Sequence, residues 1–333
     1  MPKKAFQLES AIMGAVLVTV ILGGLYFVFA ETAGTPGPRD VNHNLKRYEE
    51  KSLHHVAKEL LSHKAIDSLK TQHKEVWSLA VTEQGLYVSG DDGVHHYDSD
   101  GELLMKLEAG KSVRFVGEGE QGKLLICQGQ RVLIYQSNGT LVKTLDNTSF
   151  QRPNAVIEKN GEFYIADRSA RIIFHVDHNG DTKNKFGHLR QDNVNNFVIP
   201  GPHMDLSLSP DGLIYATNPG RHQVKAYNTE GQLVNVIGKP SFRHNGFCGC
   251  CNPVAMTVLR NGDIITTEKG ICRVKALNHG GLLKSIIAPP VDFRANKHAF
   301  MIDVVEGPKG LIYLLNSDTQ EVHIYKQKDP GHA

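Results

Sequence analysis

This chain lacks most of the sequence signatures that assign a chemistry to a protein. It contains no C-x-x-C-H motif for covalent haem, no glycine-rich phosphate loop and no G-x-S-x-G nucleophile. Its formal net charge is only +2, and lysine and arginine are scattered along the 333 residues. A basic stripe is the usual electrostatic sign of a nucleic-acid-binding surface, so we expect no nucleic-acid partner.

Runs of helix-favouring residues are scarce in this chain. One segment is a long hydrophobic run, "SAIMGAVLVTVILGGLYFVFA" at positions 10–30. It carries no charge and matches the length of a helix that crosses the hydrocarbon core of a bilayer. Residues 11–30 are therefore predicted to be a transmembrane anchor in the lipid bilayer. A cleaved signal peptide is the alternative, although its apolar region usually has only about 7–15 residues.

The charges that flank the apolar segment predict its orientation. Lys3 and Lys4 precede it, whereas the following "ETAGTPGPRD" has one arginine against two acidic residues. By the positive-inside rule, residues 1–10 stay in the cytoplasm, and the rest of the chain lies in the periplasm or outside the cell. The predicted location is thus the cytoplasmic membrane, with an exported body in which disulfides are permitted.

Residues 31–63 are predicted to form a linker and a stalk helix. The stretch "TAGTPGPRD" at 32–40 is rich in proline and glycine and is typical of a linker. In "NHNLKRYEEKSLHHVAKELLSHKA", Asn44 can cap a helix whose apolar residues recur at helical spacing, namely Leu45, Tyr48, Val56 and Leu60. We expect this amphipathic helix to lean on the protein body or on a neighbouring subunit.

From residue 76 onward the sequence repeats itself six times. Each repeat has an apolar strand, a turn such as "PDG" or "RNG", a second strand such as "LIYAT", a third strand and a fourth. Four copies are clear, at 76–107, 153–186, 202–238 and 253–287, and two are weaker, at 112–145 and 299–328. Because a four-stranded sheet cannot bury both faces alone, the repeats predict an all-β, six-bladed β-propeller.

The repeats resemble NHL repeats, and "PHMDLSLSPDGLIYATNPGRHQVKAYNTEGQLVNVIG" is the cleanest match. The resemblance covers about residues 65–328 and implies a propeller at 64–328 with a tail at 329–333. NHL propellers serve as binding platforms and, less often, as lyases or hydrolases. The resemblance therefore implies the fold more strongly than the function.

The sixth repeat stops after its third strand, at Tyr325. A missing outer strand would expose a sheet edge, which natural proteins avoid. The segment "KAIDSLKT" at 64–71 alternates suitably. We predict that it pairs as the outer strand of blade 6 and closes the ring.

Three long segments connect successive repeats, at 187–201, 239–252 and 289–298. In a propeller such connections share one face with the turns between the second and third strands of each blade. We call this the long-loop face. Long loops on a rigid scaffold commonly carry binding sites, so this face is the predicted functional surface.

Four cysteines are predicted to converge on the long-loop face. The loop "FRHNGFCGCCNPVAM" carries Cys248, Cys250 and Cys251, and Cys272 lies at the turn between the second and third strands of the same blade. They could form a disulfide staple, bind zinc or an iron–sulfur cluster with His244 nearby, or act as a redox-active thiol pair. Cys127, in "LLICQG", is predicted to be a buried core residue.

Histidines and aspartates near the inner strands are candidates for the mouth of the axial channel. His203 and His298 precede inner strands, and Asp205 and Asp303 occupy equivalent positions within them. Related propeller lactonases and amidating lyases hold calcium or zinc in this channel. We see no complete ligand set in the sequence; His244 is a further channel-mouth candidate.

The favoured interpretation is a non-enzymatic, membrane-anchored propeller. It would serve as a protein-interaction or accessory subunit of a membrane-bound complex, contacting other subunits through the long-loop face and the stalk helix. The thiol cluster suggests an electron-transfer complex. The alternative is a metal-dependent lactonase or lyase that works at the channel mouth.

Overall fold

The computed structural model describes residues 55–187, 196–293 and 301–329. Within these residues it has 24 strands in six antiparallel, four-stranded sheets. The predicted all-β, six-bladed propeller is therefore confirmed.

Blades 1 to 6 follow the order of the repeats. The inner strands are β2 (Val76–Thr82), β6 (Phe115–Glu118), β10 (Pro153–Lys159), β14 (Leu206–Leu208), β18 (Ala255–Val258) and β22 (Ile302–Glu306). The second strands are β3 (Gly85–Gly90), β7 (Leu124–Gln128), β11 (Glu162–Asp167), β15 (Ile214–Asn218), β19 (Ile264–Glu268) and β23 (Ile312–Asn316). The third strands are β4 (Gly93–Tyr97), β8 (Arg131–Tyr135), β12 (Ile172–Val176), β16 (Gln223–Tyr227), β20 (Arg273–Leu277) and β24 (Glu321–Gln327). The outer strands are β5 (Leu103–Leu107), β9 (Leu141–Asp146), β13 (Thr182–Phe186), β17 (Leu233–Ile237), β21 (Leu283–Ala288) and β1 (His63–Lys70).

The core lies between the blades. Second and third strands such as β15 and β16 are buried along almost their whole length, because a neighbouring blade covers each face of the sheet. Among the described residues, six apolar clusters each join one pair of adjacent blades. Cys127 belongs to the cluster between blades 2 and 3 and is fully buried, which confirms its predicted role.

The first strand of the described chain closes the ring. Strand β1 pairs antiparallel with β24, in a register that runs from His63 opposite Gln327 to Lys70 opposite Glu321. One bulge, between Ala65 and Asp67, interrupts the pairing. The predicted closing strand is therefore confirmed, with bounds one residue earlier than the sequence suggested.

The predicted anchor, residues 11–30, lies outside the described residues. Within the described part of the chain, no helix has the length and apolar character needed to cross a membrane. The described end of the predicted stalk helix is not α-helical, since it contains one 3-10 turn, Lys58–Leu60. Leu61 and Ser62 then pair with Ile286 of the outer strand of blade 5, so backbone pairing there replaces the predicted helical turn.

Removal of the closing strand should destabilise the propeller. A chain that begins at residue 72 loses β1 and exposes the edge of β24, whereas a chain that begins at residue 55 keeps both. We expect the shorter chain to melt about 10 °C lower and to aggregate, because an open strand edge pairs with other chains. Thermal melts followed by circular dichroism test this, and equal melting temperatures would contradict the closure.

Candidate functional site

The inner strands surround a cavity that opens at the long-loop face. Its volume is about 470 Å³. The first residues of all six inner strands, or those just before them, line it. The side chains that line it include Trp77, Arg114, His203, Asp205, Lys269 and Asp303. Further apolar lining comes from Val76, Phe115, Pro202, Val254, Ala255 and Met301.

An aromatic–cation pair forms one wall of the cavity. The Arg114 guanidinium lies over the Trp77 ring, with its Cζ atom 3.9 Å from the ring centroid. Burial lowers the pKa of Arg114; the carboxylate of Glu75, which also lines the cavity, opposes this, and Arg152 adds to it. The guanidinium makes no ion pair within 4.0 Å of a described carboxylate, so its N–H groups can still bind a ligand in the cavity.

A neutral imidazole lies beside this pair. Burial lowers the pKa of His203 to about 4, and the positive charges of Lys269, Arg168 and Arg114 add to this effect. The ring is therefore uncharged at neutral pH. Like Arg114, neither Lys269 nor Arg168 forms an ion pair with a described carboxylate, so the mouth of the cavity is basic.

Two carboxyl groups lie deeper in the channel. Asp205 accepts hydrogen bonds from the backbone N–H groups of Leu206, at 2.9 Å, and of Met256 in blade 5, at 2.8 Å. Asp303 accepts one from the N–H of Leu79 in blade 1, at 3.0 Å. Each aspartate thus binds an inner-strand N–H of another blade that faces the channel.

Both aspartates hold their protons more tightly than an exposed carboxyl does. Burial raises the pKa of Asp303 to about 6. Burial and the neighbouring charge of Asp303 raise the pKa of Asp205 well above its ordinary value. With a pKa of about 6, Asp303 is mostly ionised at pH 7, and its charge adds to burial in disfavouring ionisation of Asp205, so the pair carries less negative charge than two exposed carboxylates would.

The structure brings together three of the predicted channel-mouth residues, since His203, Asp205 and Asp303 all line the cavity. His244 is not among the lining residues, and it accepts a hydrogen bond at Nδ1 from Arg273 Nη1, at 2.7 Å. His298 lies outside the described residues.

A buried charge network fixes the loop at 239–252. Glu268, Arg273 and Lys275 have side chains with 0% exposure, and Glu268 pairs with both cations. Lys275 donates to the Gly246 carbonyl, and Glu268 accepts the N–H of Cys248 at 3.1 Å. Burial lowers the pKa of Lys275 to about 8. The network is thus the physical reason that this loop has a defined position.

Of the four thiols predicted to converge, those of Cys250 and Cys251 are in contact. Cys250 and Cys251 have Sγ atoms 3.1 Å apart, and Cys250 is exposed. Cys248 is buried against Glu268, while Cys272 packs in the core between blades 5 and 6. None of the cysteines, all of which lie in the described residues, forms a disulfide bond.

The loops before the inner strands share an anchoring contact that the sequence alone did not reveal. In five blades, an aromatic or histidine ring from the loop packs on the third residue of the third strand. These pairs are His73–His95, Phe150–Phe174, Phe197–Lys225, Phe247–Lys275 and Phe293–His323. The sequence signal for this contact is the recurrence of an aromatic residue or histidine before five of the six inner strands.

The channel residues do not fit the metal that related propeller enzymes hold. In the described part of the chain, the trio of His, Cys, Asp or Glu with ligand atoms within 4.8 Å of one another is His73, Asp92 and His95. That trio lies in blade 1 and lines no part of the channel. His203, Asp205 and Asp303 form no such group.

No protein-family model matches this chain, and no curated protein sequence matches it. Its fold is similar to that of a streptogramin B lyase, with a TM-score of 0.56 at 10% identity, covering 82% of this chain and 100% of the lyase. A virginiamycin B lyase from Staphylococcus aureus has a TM-score of 0.53 at 10% identity, covering 80% of this chain and 100% of that enzyme. A gluconolactonase from Xanthomonas campestris has a TM-score of 0.56 at 15% identity, covering 78% of this chain and 88% of that enzyme. At such identities the likeness establishes the six-bladed propeller fold alone.

The raised pKa of Asp303 should appear as a pH-dependent stability difference. Because its folded-state pKa, about 6, exceeds its ordinary 3.8, Asp303 stabilises the fold most below about pH 4, and this contribution is lost as pH rises through 6. Asn at this position still accepts the Leu79 N–H. The unfolding free energy of Asp303→Asn minus that of the wild type should therefore rise by about 3 kcal/mol between about pH 3 and 7.

Urea denaturation over this pH range measures the difference. Asp100→Asn, in an exposed turn of blade 1, is the matched control and should show no comparable trend. A flat difference for Asp303→Asn would show that the Asp303 carboxyl titrates normally.

Proposed function

We propose that this chain is a membrane-anchored, NHL-like propeller that binds an anionic group of a partner protein in its central cavity. Residues 11–30 would form the anchor, with the N-terminus in the cytoplasm and the propeller in the periplasm or outside the cell. The partner would be another subunit of a membrane-bound complex, held by the long-loop face and the segment before β1.

The observation that carries this proposal is the chemistry of the cavity. Arg114 and Lys269 form no ion pair with a described carboxylate, although Glu75 also lines the cavity and interacts with Arg114, and Trp77 and Phe115 supply apolar surface. Since His203 is neutral and burial disfavours ionisation of both deep aspartates, these cations can attract an anion with an apolar body. A carboxylate next to an apolar or aromatic side chain on the partner has these properties.

The cysteine-rich loop belongs to the same proposal. Lys269 lies close enough to Cys251 to lower the pKa of its thiol, although burial leaves that pKa raised overall. The loop therefore reaches the cavity rim with one exposed and one buried thiol. We propose that the Cys248, Cys250, Cys251 and Cys272 region supplies thiols for a disulfide, a zinc ion or an iron–sulfur cluster in an electron-transfer complex.

Fluorescence of Trp77, the single tryptophan of the chain, tests the binding proposal. With the full chain in mild detergent, benzoate should change this fluorescence saturably, and neutral benzamide should bind more weakly. Lys269→Ala should weaken benzoate binding about ten-fold, because a hydrogen bond to a charged group contributes about 1.5–3 kcal/mol. Arg260→Ala, at a turn of the opposite face, is the matched control.

The partner itself should depend on the same residue. Proteins that co-purify with the wild type and with Arg260→Ala from native membranes should be lost from Lys269→Ala. Equal binding of benzamide and benzoate, or a partner that Lys269→Ala retains, would contradict an anion-binding cavity.

A second candidate function is a lactonase or lyase, which the enzymes of similar fold favour. The observation in this chain is that a neutral imidazole, His203, and a weakly acidic carboxyl pair share one channel. Such groups can accept and donate protons near neutral pH. We derive no metal-dependent step, because the channel residues do not form a metal-binding group.

Turnover separates this candidate from a binding module. An enzyme should open gluconolactone or a cyclic depsipeptide lactone at a rate that His203→Ala lowers at least about 100-fold, in line with the usual contribution of a general base. His222→Ala, outside the cavity, should keep the rate. A rate equal to the background, or one that His203→Ala leaves unchanged, would exclude this candidate for those substrates.

A further inference from the structure

Blade 1 contains a second cluster of side chains that can bind a metal ion, and none of its three members lines the cavity. His73 precedes the inner strand, His95 lies in β4, and Asp92 lies in the turn between β3 and β4. His73 Nδ1 is 2.5 Å from Asp92 Oδ1, and His95 Nε2 is 3.2 Å from the same carboxylate. Both imidazole side chains have 0% exposure, whereas the Asp92 side chain is 45% exposed.

The far nitrogens of both rings have fixed partners. His73 Nε2–H donates to the carbonyl of Val88, at 3.0 Å. His95 Nδ1 lies 3.2 Å from the hydroxyl of Tyr97, and that hydroxyl accepts the N–H of Gln72 at 2.9 Å. The near nitrogens therefore both point to Asp92. Metal-binding histidines have this arrangement, in which a backbone or side-chain partner holds the other ring nitrogen.

The tautomer of a neutral His73 ring determines whether its Nδ1 atom offers Asp92 a proton or a lone pair. Because its Nε2 carries the proton, a neutral ring presents a lone pair at Nδ1 to a carboxylate oxygen 2.5 Å away. Two acceptors at this distance require a proton between them, and a metal ion held by both atoms would take the place of that proton.

We propose that His73, His95 and Asp92 bind a divalent transition metal ion, with zinc as the preferred occupant. Two imidazole nitrogens and one carboxylate oxygen are a common zinc ligand set, and the exposed side of Asp92 leaves a fourth position open to water. The three ligand atoms lie within 4.8 Å of one another, and the two rings are stacked with centroids 3.6 Å apart, so at least one ring must turn for both nitrogens to face one ion.

Blade 1 differs from blades 3 to 6 in the residues that it has at the positions of this cluster. His73 and His95 occupy the anchoring-pair positions, where blades 3 to 6 have phenylalanine paired with phenylalanine, lysine or histidine. Gly90 stands where blades 3 to 6 have Asp167, Asn218, Glu268 and Asn316. A Cβ atom at Gly90 would lie 2.4 Å from His73 Nδ1, so glycine makes the room for the imidazole.

Two charged groups flank the cluster. Lys106 Nζ is 3.5 Å from Asp92, but its side chain is 51% exposed and can turn into solvent when a cation binds. Asp91 lies 3.6 Å from His73 Nδ1 and accepts the N–H groups of Lys74 and Glu75, so it adds negative charge without moving.

The test uses the full chain in mild detergent, with Cys250→Ser and Cys251→Ser to remove zinc binding by thiols. Isothermal titration with zinc should give one site per chain, and His95→Gln and Asp92→Asn should each weaken it at least about 100-fold. Asp92→Asn should leave the blade folded, because the Asp92 side chain is 45% exposed. Cobalt(II) should produce visible d–d bands with no thiolate charge-transfer band.

His96→Gln is the matched control, because His96 lies on the same strand, stacks on Tyr87 and donates to the Gln84 carbonyl outside the cluster. It should leave zinc affinity unchanged. An affinity that His95→Gln and Asp92→Asn do not change, or the absence of a site in the parent protein, would overturn the proposal and leave a proton as the bridge between His73 and Asp92.

Discussion

The pairing of β1 with β24 is the contact on which the rest of the propeller depends. It is the only described strand pair that joins residues from opposite ends of the propeller sequence, with His63 opposite Gln327. Without it, β24 would have an open edge and blade 6 only three strands. Blade 6 supplies Asp303 and Met301 to the cavity, so closure of the ring also completes the candidate site.

Within the closed ring, the anchoring pairs fix the loops before the inner strands to the third strands of the blades. In blades 4 and 5, a lysine of the third strand lies over the loop phenylalanine, and its Nζ donates to loop carbonyls. A buried cation is costly without partners. Glu268 and the carbonyls of His244 and Gly246 supply these partners to Lys275, which couples the loop position to a fully satisfied charge.

The fold and part of the site could be predicted because both follow from periodicity. The repeats placed Asp205 and Asp303 at equivalent inner-strand positions, and both aspartates line the channel. Contacts between blades do not follow from periodicity. Arg114 meets Trp77 only because two successive blades pack side by side, and Cys272 packs in the core between blades 5 and 6 for the same reason.

The charged side chains of the channel differ between its mouth, which has cations, and its deeper part, which has two aspartates. Near the long-loop face, where a ligand can enter, Arg114 and Lys269 form no ion pair with a described carboxylate, although Glu75 also lines the cavity and interacts with Arg114. Deeper in the channel, Asp205 and Asp303 bind strand N–H groups, and burial raises the pKa of both carboxyls. Two fully ionised carboxylates there would oppose the cations at the mouth more strongly. Because burial raises their pKa, the same aspartates can join the inner strands and still leave the cavity attractive to an anion.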